Sequence, residues 1–154
     1  MKYILILATI FFLQACNHTG QTEIRTVEKQ AEEHHHPGKS SSNLSLNGTD
    51  KWKADQPTFE QVKKLQTQAN LFAGNAPYTP DEYKVAGVNL QTGINTLTRE
   101  CKMKGAEHEA LHHWLEPLIQ QVTALKAAET TKAGQKSLNE VQLQLELFDQ
   151  YFEQ

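Results

Sequence analysis

The apolar residues of the C-terminal two thirds of the chain recur at spacings of three and four. Such spacing places them on one face of an α-helix, and strand-like alternation is absent. Four helices with short connections favour an all-α fold, an antiparallel up-down-up-down four-helix bundle over residues 52–154. The four rows are Val62, Leu65, Ala69, Phe72; Tyr83, Gly87, Leu90, Ile94, Leu97, Cys101; His108, Leu111, Leu115, Leu118, Val122, Leu125; and Leu138, Val141, Leu145, Phe148, Phe152.

Local signals predict where three of these helices begin. Asp55 is a candidate N-cap, and Pro57 suits the first turn of the first helix, which we expect Gly74 to end. Residues 79–82 read Thr-Pro-Asp-Glu, a capping box with a first-turn proline, and they predict the start of the second helix. A second capping box, Ser137 to Glu140, predicts the start of the fourth helix, after a loop over 130–136.

The second and third rows are in phase, so one long helix starting at Pro80 is an alternative to two helices. His108 follows Cys101 by seven positions. We prefer a break at Gly105, because Lys102 suits the C-terminus of one helix and Glu107 suits the N-terminus of the next.

The first residues predict a leader rather than a membrane span. Lys2 precedes an apolar run over 4–13, which at about 1.5 Å per residue is too short to cross a hydrocarbon core of about 30 Å. That length suits the apolar region of a signal peptide. The alternatives are a lipoprotein leader and an ordinary secretory signal that contains a cysteine.

Leu13-Gln14-Ala15-Cys16 resembles the lipobox of bacterial lipoproteins. The resemblance implies that residues 1–15 are removed and that Cys16 carries acyl chains, which anchor the protein to a membrane. Asn17, in place of the aspartate associated with inner-membrane retention, implies an outer-membrane lipoprotein that faces the periplasm.

Residues 16–51 show no sustained periodicity and contain polar turn residues, so we expect a flexible tether there. Within it, Glu32 and Glu33 precede His34, His35 and His36. Imidazole and carboxylate groups together can hold a borderline metal ion weakly, which makes the three histidines a possible accessory metal site. The alternative is a solvated linker with no such role.

Composition excludes several classes of protein. The chain has 154 residues and a net charge of -3, so no basic surface indicates binding to nucleic acid. Two cysteines cannot form the disulfide framework of small secreted proteins. If Cys16 is acylated, Cys101 has no disulfide partner in its own chain.

The segment 101–113 concentrates side chains that bind metals. It contains Cys101, Met103 and three of the chain's seven histidines. His108 and His112 have the i, i+4 spacing by which one helix presents two imidazoles to one ion. Thiolate, thioether and imidazole ligands suit Cu(I) and then Zn²⁺. We therefore expect Cys101, Met103, His108 and His112 to bind copper, with zinc less favoured, for buffering, delivery or tolerance, in exchange with a metal-handling envelope protein.

Other interpretations of the segment remain open. Cys101 and His108 could be packing residues of a non-catalytic interaction or structural lipoprotein. The bundle resembles, in outline, the small periplasmic four-helix cytochromes, so a non-covalent haem held by His108 or His112 with Met103 is an alternative. Covalent haem is not expected, because the C-x-x-C-H attachment motif is absent. An enzyme is not expected, because no orienting group for a Cys101–His108 pair is recognisable. The glutamines of the first and fourth helices are expected to be solvated surface: Gln61, Gln66, Gln68, Gln142 and Gln144.

Overall fold

The computed structural model describes residues 43–72, Gly74 and residues 78–154, and this part of the chain contains four α-helices and one short strand pair. The predicted all-α class is confirmed. The predicted leader, Cys16 and His34 to His36 lie outside the described residues. In chain order the elements are β1 (Trp52–Lys53), α1 (Gln56–Asn70), α2 (Pro80–Glu100), α3 (Gly105–Lys126), α4 (Thr131–Tyr151) and β2 (Phe152–Glu153).

The predicted starts of α1 and α2 are confirmed by their capping hydrogen bonds. Asp55 accepts a hydrogen bond from the backbone N–H of Thr58 at 2.9 Å. Thr79 accepts one from the N–H of Glu82 at 3.3 Å, and the Glu82 carboxylate accepts one from the N–H of Thr79 at 2.7 Å. These bonds satisfy N–H groups that have no partner within the helix, and those from Thr79 hold the pKa of Glu82 below its usual range.

Two predicted boundaries are wrong. α1 ends at Asn70 rather than at Gly74: Leu71 caps the helix, and Gly74, with a positive φ of 84°, lies four residues beyond the last helical residue. α4 begins at Thr131, where Thr130 accepts a hydrogen bond from the N–H of Ala133 at 3.2 Å. Ser137, the predicted cap, is instead a buried residue inside α4.

The preferred break between the second and third helices is confirmed. Cys101 caps α2, and its N–H donates a hydrogen bond to the carbonyl of Leu97 at 2.9 Å. Gly105 opens α3 with a φ of 65°, a left-handed conformation that disfavours residues with a side chain. A single helix through this segment would need φ near -63° at that position.

Glycines inside two helices, α2 and α4, mark places where neighbouring elements approach closely. A Cβ atom on Gly134 would lie 2.3 Å from Cδ2 of Tyr83, so the aromatic ring of α2 packs directly on the backbone of α4. A Cβ atom on Gly93 would lie 2.6 Å from Cδ2 of Leu65 in α1. Gly134 is therefore retained inside a helix because an alanine there would displace the tyrosine ring, although glycine costs about 1 kcal/mol in helix propensity.

The strand pair joins the two ends of the helical region. β1 and β2 are parallel, with Trp52 opposite Phe152 and Lys53 opposite Glu153. Ala54 donates a further hydrogen bond to the carbonyl of Glu153 at 2.8 Å. Phe152 stacks on Phe148 with ring centroids 4.8 Å apart. The residues before α1 are thereby held against those after α4.

Part of the segment predicted as tether packs on the helical region. The indole N–H of Trp52 donates to the carbonyl of Ser45 at 2.6 Å, and the ammonium group of Lys51 donates to the carbonyl of Asp149 at 2.7 Å. Leu44 packs against the core. Residues 43–51 therefore belong to the same folded region as the helices.

The expectation of solvated glutamines is wrong. Gln68 is half-buried, with an amide oxygen that is shielded from solvent. The side-chain amides of the other four cross between helices and donate to backbone carbonyls, and Gln61 and Gln144 are buried. Gln144 and Trp114 exchange two such bonds, since the indole N–H also donates to the carbonyl of Gln144 at 2.9 Å. The amide donations are Gln61 to Gly93 at 3.2 Å, Gln66 to Leu145 at 3.0 Å, Gln142 to Ala69 at 3.0 Å and Gln144 to Trp114 at 2.8 Å.

Substituting Gly134→Ala should lower the free energy of unfolding by about 1–3 kcal/mol. The added methyl group would overlap the Tyr83 ring, and overpacking of this kind exceeds the gain in helix propensity. Urea denaturation followed by circular dichroism measures the change. The matched control is Gln135→Ala, at an exposed position of the same helix. A Gly134→Ala protein at least as stable as the control would contradict the close contact.

Candidate functional site

The candidate site begins with the loop between α2 and α3. Cys101 is the last residue whose N–H bonds back into α2, and its side chain is half-buried. Met103 is half-buried and packs against the core, whereas Lys102 and Lys104 are exposed. The alternation between core-facing and exposed residues directs the thiol and the thioether toward the helical region.

Asp55 fixes this loop from a distant part of the sequence. One carboxylate oxygen caps α1, and the other accepts a hydrogen bond from the backbone N–H of Lys102 at 2.6 Å, across 47 residues. Burial raises the pKa of Asp55, but the hydrogen bonds from Thr58 and Lys102, with the charge of Lys102, outweigh it and hold the pKa below its ordinary value. Sequence reasoning identified the cap and missed the second bond, since no local pattern encodes it.

The structure brings Cys101 and His108 into contact. The sulfur of Cys101 lies 3.7 Å from Nδ1 of His108, within the range of a hydrogen bond that involves sulfur. Both side chains are half-buried. The break at Gly105 makes this contact possible, because the chain changes direction between a residue that ends α2 and one in the first turn of α3.

His108 also contacts His112, one turn further along α3. Their Nε2 atoms are 2.9 Å apart, and their ring centroids are separated by 4.6 Å. A hydrogen bond between two imidazole nitrogens needs one N–H and one lone pair, so one ring donates and the other accepts. His112 is exposed, so this second imidazole meets solvent.

Cys101 and His112 therefore contact different nitrogens of the His108 imidazole. A tetrahedral zinc ion with ordinary bond lengths would place sulfur and nitrogen about 3.6 Å apart and two nitrogens about 3.3 Å apart. The separation of 3.7 Å between Cys101 and Nδ1 is close to the first value. The two nitrogens of one ring point away from each other, so His108 cannot direct one ion to both neighbours.

The four predicted ligands do not converge on one point in this conformation. Within residues 43–72, 74 and 78–154, no group of three or more His, Cys, Asp or Glu side chains is placed to hold a metal ion. Cys101, His108 and His112 form a chain of contacts, and Met103 belongs to the same loop. His113 faces elsewhere and lines, with Glu109 and Trp52, a shallow depression of about 180 Å³.

Comparisons with protein-family models, with curated proteins and with solved structures find no match to this chain. No helix in the described part of the sequence combines the length and apolar character needed to span a membrane. The interpretation of the site therefore depends on its own residues and geometry.

Replacing Asp55 with alanine should lower the free energy of unfolding by about 1–2 kcal/mol at neutral pH, because the α1 cap and the Lys102 bond are both lost. A carboxylate with a lowered pKa stabilises the fold above its ordinary pKa, and this contribution disappears as the pH falls through the lowered value. The difference between wild type and Asp55→Ala should therefore shrink on acidification.

Urea titrations at neutral pH and at successively lower pH values would test this expectation. Asp50→Ala, which removes an exposed carboxylate near β1, is the matched control and should change stability by less than about 0.5 kcal/mol. A difference for Asp55→Ala that grows as the pH falls would contradict the assigned role of its carboxylate.

Proposed function

We propose that this protein is an envelope lipoprotein that binds a soft transition metal ion, Cu(I) in preference to Zn²⁺, at the end of α2 and the beginning of α3. The observation that carries the proposal is the separation of 3.7 Å between the Cys101 sulfur and His108 Nδ1. A thiol and an imidazole nitrogen at this distance can bind one ion with little movement. The task would be buffering, delivery or tolerance of the metal.

The geometry divides the predicted ligands into two groups. Cys101 and Nδ1 of His108 bind the ion directly in this proposal, and Met103 supplies a thioether from the same loop. With Nδ1 bound to the ion, His108 would carry its proton on Nε2 and donate it to Nε2 of His112, which lies 2.9 Å away, and His112 would then be the outer partner of a metal-bound histidine. An ion between the two Nε2 atoms is the alternative, and it would leave Cys101 outside the ligand set.

Ligand type favours copper over zinc in this proposal. Thiolate and thioether groups are soft ligands that select Cu(I), and a site with few protein ligands suits it better than the four-coordinate shell that structural zinc requires. The half-burial of Cys101 and Met103 leaves one side of the site open, which suits exchange of the ion with another envelope protein.

A competitive Cu(I) titration under reducing conditions tests the proposal. The protein is the full chain with Cys16→Ser, which leaves Cys101 as the only thiol. We expect one ion per chain, and Cys101→Ser should weaken binding by at least about 100-fold because the thiolate ligand is lost. His112→Ala should weaken it about 10–100-fold as an outer partner.

His113→Ala is the matched control, since His113 is exposed, adjacent in sequence and not in contact with Cys101 or His108, and it should bind like the parent. Alanine at His34, His35 and His36 together tests whether the tether contributes. An unchanged Cu(I) affinity in Cys101→Ser would contradict the assignment of Cys101 as a thiolate ligand. If His112→Ala lost Cu(I) binding while Cys101→Ser kept it, the alternative site between the two imidazoles would be favoured.

Membrane anchoring through Cys16 is the second part of the proposal. It depends on the lipobox-like segment and on the polar residues that follow it. Two or more acyl chains give a stable anchor because each buried methylene contributes about 0.8 kcal/mol. In this proposal the anchor holds the helical region at the periplasmic face of the outer membrane.

Expression in a Gram-negative host should place the wild-type protein in the outer-membrane fraction with an acylated N-terminal cysteine. Cys16→Ser should remove the acyl groups, prevent cleavage by the lipoprotein-specific peptidase and shift the apparent mass upward. Membrane fractionation and mass spectrometry of the N-terminal peptide measure both effects. If the wild-type protein were unacylated and cleaved at another position, the leader would be an ordinary secretory signal rather than a lipoprotein leader.

We also propose that the helices run antiparallel in an up-down-up-down bundle. Consecutive helices are in contact, α1 also contacts α4, and the connections between α2, α3 and α4 are short. The parallel pairing of β1 with β2, which brings the start of α1 to the end of α4, supports this arrangement.

A non-catalytic interaction protein is the second candidate function. The observation in its favour is the exposure of three apolar side chains, Leu71, Val85 and Val88, with exposed fractions of 68%, 58% and 54%. Capture of a specific envelope protein by the Cys101→Ser chain, together with no metal binding by the parent, would favour this candidate.

A further inference from the structure

The outer face of α2 carries a regular row of exposed residues. They recur at spacings of 4, 3, 4, 3 and 4, which is the heptad spacing of a helix that packs along another helix. All six are exposed, including Val85 at 58% and Val88 at 54%. We call this row the outer seam, and its residues are Asp81, Val85, Val88, Thr92, Asn95 and Arg99.

The composition of the outer seam is unusual for a helix face that meets only water. Residues 85–98 contain no Asp, Glu, Lys or Arg, although 21% of the chain is charged. Valine, threonine and asparagine also have lower helix propensities than the alanine, glutamate, lysine and glutamine that suit exposed helix positions. A second helix packed on this face would account for both departures.

We propose that α2 of one chain packs antiparallel against α2 of a second copy of this chain, along the outer seam and about a two-fold axis. The row of spacings reads the same from either end, so the seam matches itself when the second helix is reversed. In this register Val85 lies opposite Asn95 of the second copy, and Val88 lies opposite its Thr92. The inference concerns a different surface from the candidate metal site and does not depend on metal binding.

Charge complementarity favours a reversed second copy as the occupant of this face. The outer seam is charged only at its two ends, with Asp81 in the first turn of α2 and Arg99 in the last. An antiparallel pair places each Asp81 opposite Arg99 of the other copy, whereas a parallel pair places like charges together. Asp81 now lies 3.2 Å from Lys84, and its side chain is 90% exposed. Exposed ion pairs of this kind contribute little to stability, so exchanging one for a pair between chains costs little.

Two polar side chains in the middle of the outer seam have hydrogen-bond partners within α2. The hydroxyl of Thr92 donates to the carbonyl of Val88 at 3.0 Å, and the side-chain amide of Gln91 donates to Oδ1 of Asn95 at 3.1 Å. Covering these two oxygens therefore leaves neither without a hydrogen bond. A polar residue on a seam between helices also fixes the register of the pair, at a cost in stability.

Disulfide trapping tests the register. The protein is the full chain with Cys16→Ser and Cys101→Ser, to which either Val85→Cys or Asn95→Cys is added, so that each protein has one thiol. The two proteins are mixed in equal amounts in a glutathione redox buffer, and intact mass spectrometry measures the disulfide-linked dimers. The mixed dimer should exceed each like dimer at least about tenfold, because like positions lie about 15 Å apart along the antiparallel pair, too far for a disulfide.

Charge reversal tests the same pairing in chains that keep the valines of the outer seam. Sedimentation equilibrium of the same background protein should give a dimer with a Kd on the order of 100 µM, because a single pair of helices forms a small interface. Asp81→Arg alone or Arg99→Asp alone should raise the Kd at least about tenfold, since each places like charges opposite one another. The two changes together should restore the parent's Kd.

Glu129→Arg and Lys132→Asp are the matched controls, because they make the same changes of charge at exposed positions outside the outer seam and should leave the Kd unchanged. Circular dichroism verifies that each variant is folded. The proposal would be overturned by a mixed disulfide dimer formed only in statistical proportion, or by a Val85→Cys like dimer that dominates, as parallel pairing requires. A dimer that the charge reversals do not weaken would overturn it too, as would a parent that stays monomeric up to about 1 mM. Neither experiment involves a metal ion, so failure here is distinguishable from failure of the Cu(I) titration.

Discussion

The Asp55 carboxylate connects the start of the first helix to the loop that carries the candidate site. Its two oxygens accept hydrogen bonds from Thr58 and from Lys102, so one ionised side chain satisfies an N–H at the helix N-terminus and one in the loop. Bonds of this kind, made to a charged acceptor, are stronger than neutral ones. β1, which ends two residues before Asp55, pairs with β2 and so holds the start of α1 against the end of α4. Displacing Asp55 would therefore loosen the position of Cys101 together with the first helix.

Short contacts to the backbone hold the helices together in addition to the apolar core. Glutamine amides of α1 and α4 donate to carbonyls on neighbouring helices, and helical glycines allow Tyr83 and Leu65 to pack against main chain. A helix carbonyl has a second lone pair after its intrahelical bond, so these donations need no break in the helix. They do fix the distance between the two axes. An amide that reaches a particular carbonyl also sets the register of its helix along the neighbour, which apolar contacts alone specify weakly.

Apolar periodicity and capping chemistry are local properties, which explains what could be predicted from the sequence. The number of helices, the box that begins α2 at Thr79 and the break at Gly105 all depend on residues within a few positions of each other. The sequence predicts a loop at Gly134, because the ring of Tyr83, which this helical glycine accommodates, is remote in sequence. The prediction of solvated glutamines fails for a similar reason, since the carbonyls that they contact are also remote. At the site, the spacing of His108 and His112 is local, whereas the bond from Asp55 to the loop is not.

The central question about the site is how one imidazole serves two neighbours. His108 faces a sulfur with one nitrogen and another imidazole with the other, and its two lone-pair directions diverge. An ion on Nδ1 would therefore occupy the position that a thiol proton otherwise takes, while the contact with His112 would remain unchanged. In the proposed metal site the Nε2 side of His108 would be oriented by His112, and for this reason the exposed histidine would matter to metal binding without having to touch the ion.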